Sequence, residues 1–302
     1  MILSVGEILT DMIGTPRGDN FYYERKAGGA PFNVACAAGK LGAQTAFVGS
    51  VGDDVIGAFL KRFAESVGFS DLLLDVKPDR NTTMAIVDVD DSGERSFCFY
   101  RKHTADYVLP EIPDELILKA NIVHIGSLML SEPEGRDYAL RLIERAKNAG
   151  KKVSFDVNFR TDIFRDKAAA IAIYREVIEK ADIVKFSEDE LDIFGEEYVS
   201  SLDALVCVSL GSAGSEWRYK NNARRVPTVK VKPVDTTGAG DAFFAGVLSG
   251  LDRLGKADYE SSELDEIFRF ANVCGALNTL GRGAIDHLPS REDVINKLRE
   301  AE

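Results

Sequence analysis

Short apolar runs alternate with longer stretches of helical spacing along most of this chain. Residues 2–5 form an apolar run that reads as a first strand. Residues 31–41 have helical periodicity after a glycine turn, 45–48 read as a strand and 55–67 as a helix. From Asn121 the rhythm is regular. Strands are expected at 122–125, 152–155, 183–186 and 204–208, with helices at 134–149, 167–180, 239–254 and 263–280. The alternating run 228–234 reads as one more strand. This succession predicts an α/β fold of three layers, a mostly parallel sheet with helices on both faces.

Two segments break the rhythm. Residues 10–25 contain Gly14, Pro16 and Gly18, then Phe21-Tyr22-Tyr23. Residues 82–100 read as two β runs around the turn Asp90-Asp91-Ser92-Gly93. Together they predict a small β layer beside the main sheet, a lid built from about 10–25 and 82–106. With no repeat, low-complexity tract or linker in view, residues 1–302 are read as one domain carrying that lid.

Composition narrows the function. Apolar residues at 45% and charged residues at 28% exclude a disordered or fibrous chain. Lys and Arg number 37 against 49 Asp and Glu, a net charge of −12 that disfavours nucleic acid and anionic membranes as partners. It does not disfavour a small anionic ligand, which needs only local positive potential. Cys36, Cys98, Cys207 and Cys274 are scattered and read as thiols of a reducing compartment. The start lacks a basic segment, its apolar run breaks at Glu7, and no run approaches the ~18 residues of a membrane span. A cytoplasmic protein is expected.

Chemistry concentrates in Asp235-Thr236-Thr237-Gly238-Ala239-Gly240-Asp241, just before a helix of small and apolar residues. Gly238 and Gly240 permit tight turning, and free amides at a helix start attract an anion. Asp241 falls in the first turn, where the dipole favours its ionised form, and is a candidate base. An isolated Gly-x-Gly-Asp would equally serve as a capped turn. No Gly-x-Gly-x-x-Gly fingerprint occurs. Gly250 to Lys256 fits a phosphate-loop spacing, but Ala257 stands where a hydroxyl is needed.

The segment 235–241 matches the C-terminal signature of the ribokinase-like (PfkB-type) sugar kinases, and the chain resembles that family nearly throughout. Ala27-Gly28-Gly29-Ala30-Pro31-Phe32-Asn33-Val34-Ala35 is similar to its N-terminal glycine motif. The opening Gly6-Glu7-x-x-x-Asp11 and the run Asp156-x-Asn158-x-Arg160 extend the likeness.

The resemblance implies a ribokinase-like fold that moves the γ-phosphoryl of ATP to a sugar hydroxyl. Asp241 would accept the hydroxyl proton, and Gly238, Ala239 and Gly240 would form the anion hole. Asp11, Gly28, Gly29 and Asn33 match sugar-contacting positions, and Arg160 is a candidate phosphate or sugar ligand. Asn158, Lys185, Ser187, Glu190, Ser209, Gly211, Gly214 and Asn272 fall on the nucleotide side, together with Gly238 and Gly240. Glu190 would organise Mg²⁺ indirectly, although Ser187 stands where the family has Asn. Asp235 and Thr237 match a site for K⁺. A homodimer through the lid is a further implication, with Phe21, Tyr22 and Tyr23 facing the partner.

For the sugar, Phe99-Tyr100-Arg101 followed by Ala105-Asp106 and Leu109 looks most like fructokinases. An acid at Asp106 suits a neutral polyol, whereas Arg101 could pair with a carboxylate and keeps 2-keto-3-deoxygluconate in play. A sugar or nucleotide sensor on the same fold is the non-enzymatic alternative. The intact Asp241 and its glycines speak against it.

Overall fold

A computed structural model describes residues 1–17, 20–89, 95–160, 163–164 and 166–301. The strands are β1 (Ile2–Val5), β2 (Leu9–Arg17), β3 (Asn20–Gly28), β4 (Thr45–Gly52), β5 (Asp71–Lys77), β6 (Met84–Val89), β7 (Arg95–Tyr100), β8 (Ile122–Ile125), β9 (Lys152–Asp156), β10 (Ile183–Ser187), β11 (Leu205–Ser209), β12 (Ser215–Tyr219) and β13 (Asn222–Val226). The helices are α1 (Ala30–Lys40), α2 (Val55–Val67), α3 (Asp114–Lys119), α4 (Pro133–Asn148), α5 (Lys167–Ile178), α6 (Glu188–Phe194), α7 (Glu196–Ser200), α8 (Ala239–Leu254), α9 (Ser261–Asn278) and α10 (Arg291–Ala301).

The main sheet has nine strands in the order β13-β12-β11-β10-β9-β8-β1-β4-β5. From β11 to β5 every neighbouring pair is parallel, and the β12–β13 hairpin joins the edge antiparallel. Successive side chains on these strands enter two different cores. Leu3, Val123, Val153 and Val184 pack with Tyr138 of α4 and Tyr174 of α5. Ile2, Ile122 and Ile183 pack with Phe243 and Phe244 of α8 and Phe268 of α9. Burial of both faces is why these strands read as unbroken apolar runs. Gly246 of α8 lets α9 approach so closely that a Cβ there would lie 2.8 Å from Ala271 Cα.

The chain moves from β1 to β4 and β5 on one side, then returns to β8 and works towards β11 on the other. β1 and β8 are therefore neighbours whose onward connections diverge. In open α/β sheets, ligands bind outside the carboxyl ends of the strands at such a point.

A second sheet has four strands in the order β3-β2-β6-β7. Leu9 and Ala85 of this sheet pack on Leu128, with Phe99 and Ile163 against them, and so hold it beside the carboxyl end of β8. The turn Asp90-Asp91-Ser92-Gly93 and Gly18 lie outside the described residues. Phe21, Tyr22 and Tyr23 are exposed on edge strand β3.

Several elements differ from the sequence reading. Residues 228–234 are not a strand. They run along α9, where Thr228 donates to the Asn272 carbonyl and Val229 packs on Val273, so one-sided burial produces the alternation without a sheet partner. Strands β12 and β13 and helices α3, α6, α7 and α10 escaped notice, being short or largely polar, and so did the edge strand β5, a seven-residue segment whose residues are only half-buried. No helix among the described residues is long and apolar enough to cross a membrane.

Candidate active site

The point where β1 and β8 diverge opens into a cavity of about 400 Å³. Its lining includes Glu7, Asp11, Gly29, Asn33, Asn158, Arg160, Lys185, Gly238, Gly240 and Asp241. Leu9, Asp11 and Phe99 reach it from the second sheet.

Gly238 caps α8 with φ 73°, a conformation that favours glycine. A Cβ at Gly238 would also lie 2.7 Å from Ala284 Cβ. The turn aims the start of α8 at the cavity, where the first amides of a helix have no intrahelical acceptor. The Ala239 amide is engaged, donating to Thr236 O at 3.2 Å. Gly240 remains on the wall, and Lys185 Nζ lies 3.5 Å from where its Cβ would stand.

Asp241 sits in the first turn of α8. Asn33 on α1 donates from Nδ2 to Asp241 Oδ2 at 2.7 Å. Enclosure by protein pushes the Asp241 carboxyl up to about 6, and the charge of Asp156 adds to this. The Asn33 hydrogen bond, Lys185 and Arg160 pull against that rise. A carboxylate so poised is ionised at neutral pH and still basic enough to take a proton.

Strand alternation puts Lys185 on the α8 side, two residues after Ile183. In the neighbouring strand its register partner is Asp156. The two form a buried ion pair, with Lys185 Nζ 2.8 and 3.1 Å from the Asp156 oxygens. Burial alone would lower the Lys185 pKa, but the carboxylates of Asp156 and Glu190 outweigh it and the net shift is upward. Lys185 is thus a fixed cation beside the start of α8. Beyond β9, Asn158 takes φ 36°, uncommon for a residue with a side chain, and the chain there brings Arg160 to the cavity.

The glycines of the N-terminal motif admit the chain's own groups. A Cβ at Gly28 would lie 2.4 Å from Asp11 Oδ2, and one at Gly29, where φ is 111°, would lie 2.4 Å from Glu7 O. They let β2 and the end of β1 close against the start of α1, fixing Asp11 and Asn33 on one wall.

Most of the residues expected on the nucleotide side follow the carboxyl ends of adjacent strands. Ser187 and Ser209 are register partners at the ends of β10 and β11, and Gly211 (φ 54°) and Gly214 (φ 100°) shape the turn after β11. Glu190 closes a capping box with Ser187 and also accepts from the Phe159 amide at 2.6 Å. Burial raises its pKa despite Lys185 nearby. Asn272 spends its amide on the carbonyls of Val226 and Pro227. The carboxylate of Asp235 accepts from the amides of Thr237 and Gly283, both at 2.8 Å.

Arg101 and Asp106 do not line the Asp241 cavity. They pair with each other in the interior, Nε to Oδ2 at 2.6 Å. Thr83 and Thr104 donate to the other Asp106 oxygen, each at 2.6 Å, and Arg101 also donates to Ser131. The sequence reading had assigned both to substrate. Glu7 on the cavity wall and Asp156, which pairs with Lys185 behind it, were missed as site residues, each noted only within a motif. Strand alternation could have found Asp156, since it shares a face with Lys185.

The sequence matches the pfkB family of carbohydrate kinases over residues 1–291. The chain belongs to this family. It is 34% identical over 322 residues to fructokinase-1 of Oryza sativa subsp. japonica, covering 100% of this chain and 98% of that protein. The fold superposes with a TM-score of 0.92 on a fructokinase with bound ATP from Xylella fastidiosa, 29% identical, over 99% of this chain and 98% of the other. A fructokinase from Vibrio cholerae O395 holding fructose, ADP and calcium gives 0.86 at 32% identity, covering 98% and 97%. As in its family, the chain has an α/β fold with a large, mostly parallel sheet flanked by helices.

Proposed function

We propose that this carbohydrate kinase is a fructokinase that moves the γ-phosphoryl of ATP to the C6 hydroxyl of fructose. The observation that carries the reading is the single cavity in which Asp241, held by Asn33, meets the start of α8 and Lys185. Similarity to fructokinases along the whole chain supports fructose as the acceptor.

The charge of the cavity agrees with a neutral sugar. Asp11 and Asp241 line it, the charge of Lys185 is shared with Asp156, and Arg101 is neutralised by Asp106. Arg160 on the cavity wall could favour an acid, and it is equally suited to a phosphate oxygen.

In the proposed reaction Asp241 takes the hydroxyl proton, and the sugar oxygen bonds to the γ-phosphorus as its bond to the bridging oxygen breaks. The products are the sugar phosphate, ADP and a proton on Asp241. The amides of Gly238 and Gly240, with Lys185, stabilise charge on the transferring group. Phosphoryl transfer of this kind is assisted by Mg²⁺ on the nucleotide, which neutralises phosphate charge. Each Glu190 oxygen already accepts a backbone amide, and Glu190 would help hold such an ion through its waters. The second sheet acts as a lid that excludes water.

Asp235 and Thr237 are proposed to hold K⁺, and equal initial rates in potassium and in a large-cation buffer would dismiss it. A homodimer through the exposed face of β3 belongs to the same reading, and a monomer mass in solution would remove it. So does a cytoplasmic location, consistent with four free cysteines. The deciding experiment is ADP release with ATP and Mg²⁺ in the presence of fructose, 2-keto-3-deoxygluconate, ribose or adenosine. Fructose should dominate. Preference for the keto-deoxy acid would move the specificity to Arg160.

A further inference from the structure

Glu7 has no part in the reaction described above, and its position is unusual. It follows β1 at the point where β1 and β8 diverge, and its side chain is fully buried yet borders the cavity. Neither carboxyl oxygen has a hydrogen-bond partner of good geometry among the described residues, and only its own backbone amide lies near it. Gly126, after β8, presses against it so closely that a Cβ there would lie 2.6 Å from Glu7 Oε2. Asn33 Oδ1, on the same cavity, also lacks a partner. Buried polar atoms are almost always satisfied, and each exception asks for an unseen partner.

We infer that Glu7 is a further sugar-binding residue, which works as a neutral carboxylic acid and gives one hydroxyl of the substrate both a donor and an acceptor. The inference rests on the sugar-kinase reading of the cavity. A protonated carboxyl can donate through its O–H and accept through its carbonyl oxygen, as one sugar hydroxyl requires. An ionised carboxyl could only accept, and would add negative charge beside Asp11 and Asp241.

The surroundings favour the neutral form. Burial pushes the Glu7 carboxyl up to about 8, and Asp106 and Asp241 add to this, while its own amide and Arg101 offset part of it. The titratable and charged groups around it are Asp241 on α8, Arg101 and Asp106 after β7, Tyr174 on α5, and Asp11, Arg160 and Lys185 on the cavity wall.

The test is steady-state kinetics with fructose and ATP from pH 6.5 to 9.5, comparing wild type with Glu7→Gln and Glu7→Ala. In wild type the KM for fructose should climb above about pH 8 while the KM for ATP stays level. Glu7→Gln keeps a donor and an acceptor but cannot ionise. Its fructose KM should be higher at neutral pH, below that of Glu7→Ala, and flat with pH. Glu7→Ala should raise the fructose KM about tenfold or more, with less effect on kcat. Fructose turnover whose KM follows the same pH curve in wild type and Glu7→Gln would overturn this inference alone. Equal rises of both KM values in Glu7→Ala would do so too, by marking a merely structural role. Absence of fructose turnover in wild type would overturn the substrate reading and this inference with it.

Discussion

Asn33 on α1 and Asp241 on α8 are 208 positions apart in sequence, and their side chains meet at 2.7 Å. The contact joins the motif after β3 to the glycine turn before α8. The amide donates to the form of Asp241 that a general base needs, and so opposes the burial that would neutralise it.

The pH dependence of turnover follows from this. The Asp241 carboxyl stands near 6, so kcat/KM for sugar should fall as pH drops through that value. Removing the donor in Asn33→Ala should move this acidic limb to higher pH and lower kcat/KM roughly 10- to 100-fold. Asp241→Asn should lose about 10²–10⁴-fold in kcat while ATP still binds, as calorimetry with nucleotide would register. Near-wild-type turnover in Asp241→Asn would sink the base assignment.

The two glycines at the start of α8 should fail in different ways. Gly238→Ala forces a side chain into positive φ and against Ala284, and should cost about 2–3 kcal/mol or more in urea unfolding. Gly240 is helical, and its added methyl would meet only the end of Lys185 at 3.5 Å, so Gly240→Ala should fold normally. That methyl would intrude where a phosphoryl group must sit, so kcat should drop with stability intact. A Gly240→Ala enzyme with full kcat would contradict the anion-hole geometry.

Lys185→Met leaves Asp156 buried without its cation. Breaking such a pair costs about 3–5 kcal/mol, and the loss should appear as a lower urea midpoint. The double variant Lys185→Met, Asp156→Leu should recover much of the stability and none of the activity. If Lys185→Met kept full kcat, the cation beside Gly240 would have no role in transfer.

Glu7 makes a prediction about folding as well as binding. Its carboxyl has a usual value of 4.5 and a native value near 8. Between those limits the native state holds a proton that the unfolded chain has released. Unfolding then releases a proton, and stability falls as pH rises. Glu7→Gln removes that slope. Its stability should match wild type near pH 4.5 and exceed it increasingly up to about pH 8, by up to about 5 kcal/mol, with a melting temperature that rises accordingly. Parallel stability curves for the two proteins would refute the raised value.

The segments read correctly from sequence are those in which local pattern and tertiary burial agree. Helices α2 and α8 fall at the residues expected, because each has an apolar stripe bounded by a cap or glycine turn. The β12–β13 hairpin was illegible because β13 is mostly exposed at the sheet edge and carries Arg224 and Arg225. At the site, Asp241, Asn33 and Gly238 were legible through short motifs with fixed spacing. The mutual pairing of Arg101 and Asp106 was not, since nothing in a sequence says which of two nearby opposite charges faces a ligand and which faces its neighbour.

That pairing limits how the region under the second sheet can change. Losing Arg101 would strand the Asp106 carboxylate in the interior with only Thr83 and Thr104 for company, and losing Asp106 would strand the guanidinium. Neither step alone is an easy one. Among relatives that keep this fold the two positions should be exchanged together or not at all, so that a comparison of many such sequences would find them varying as one character.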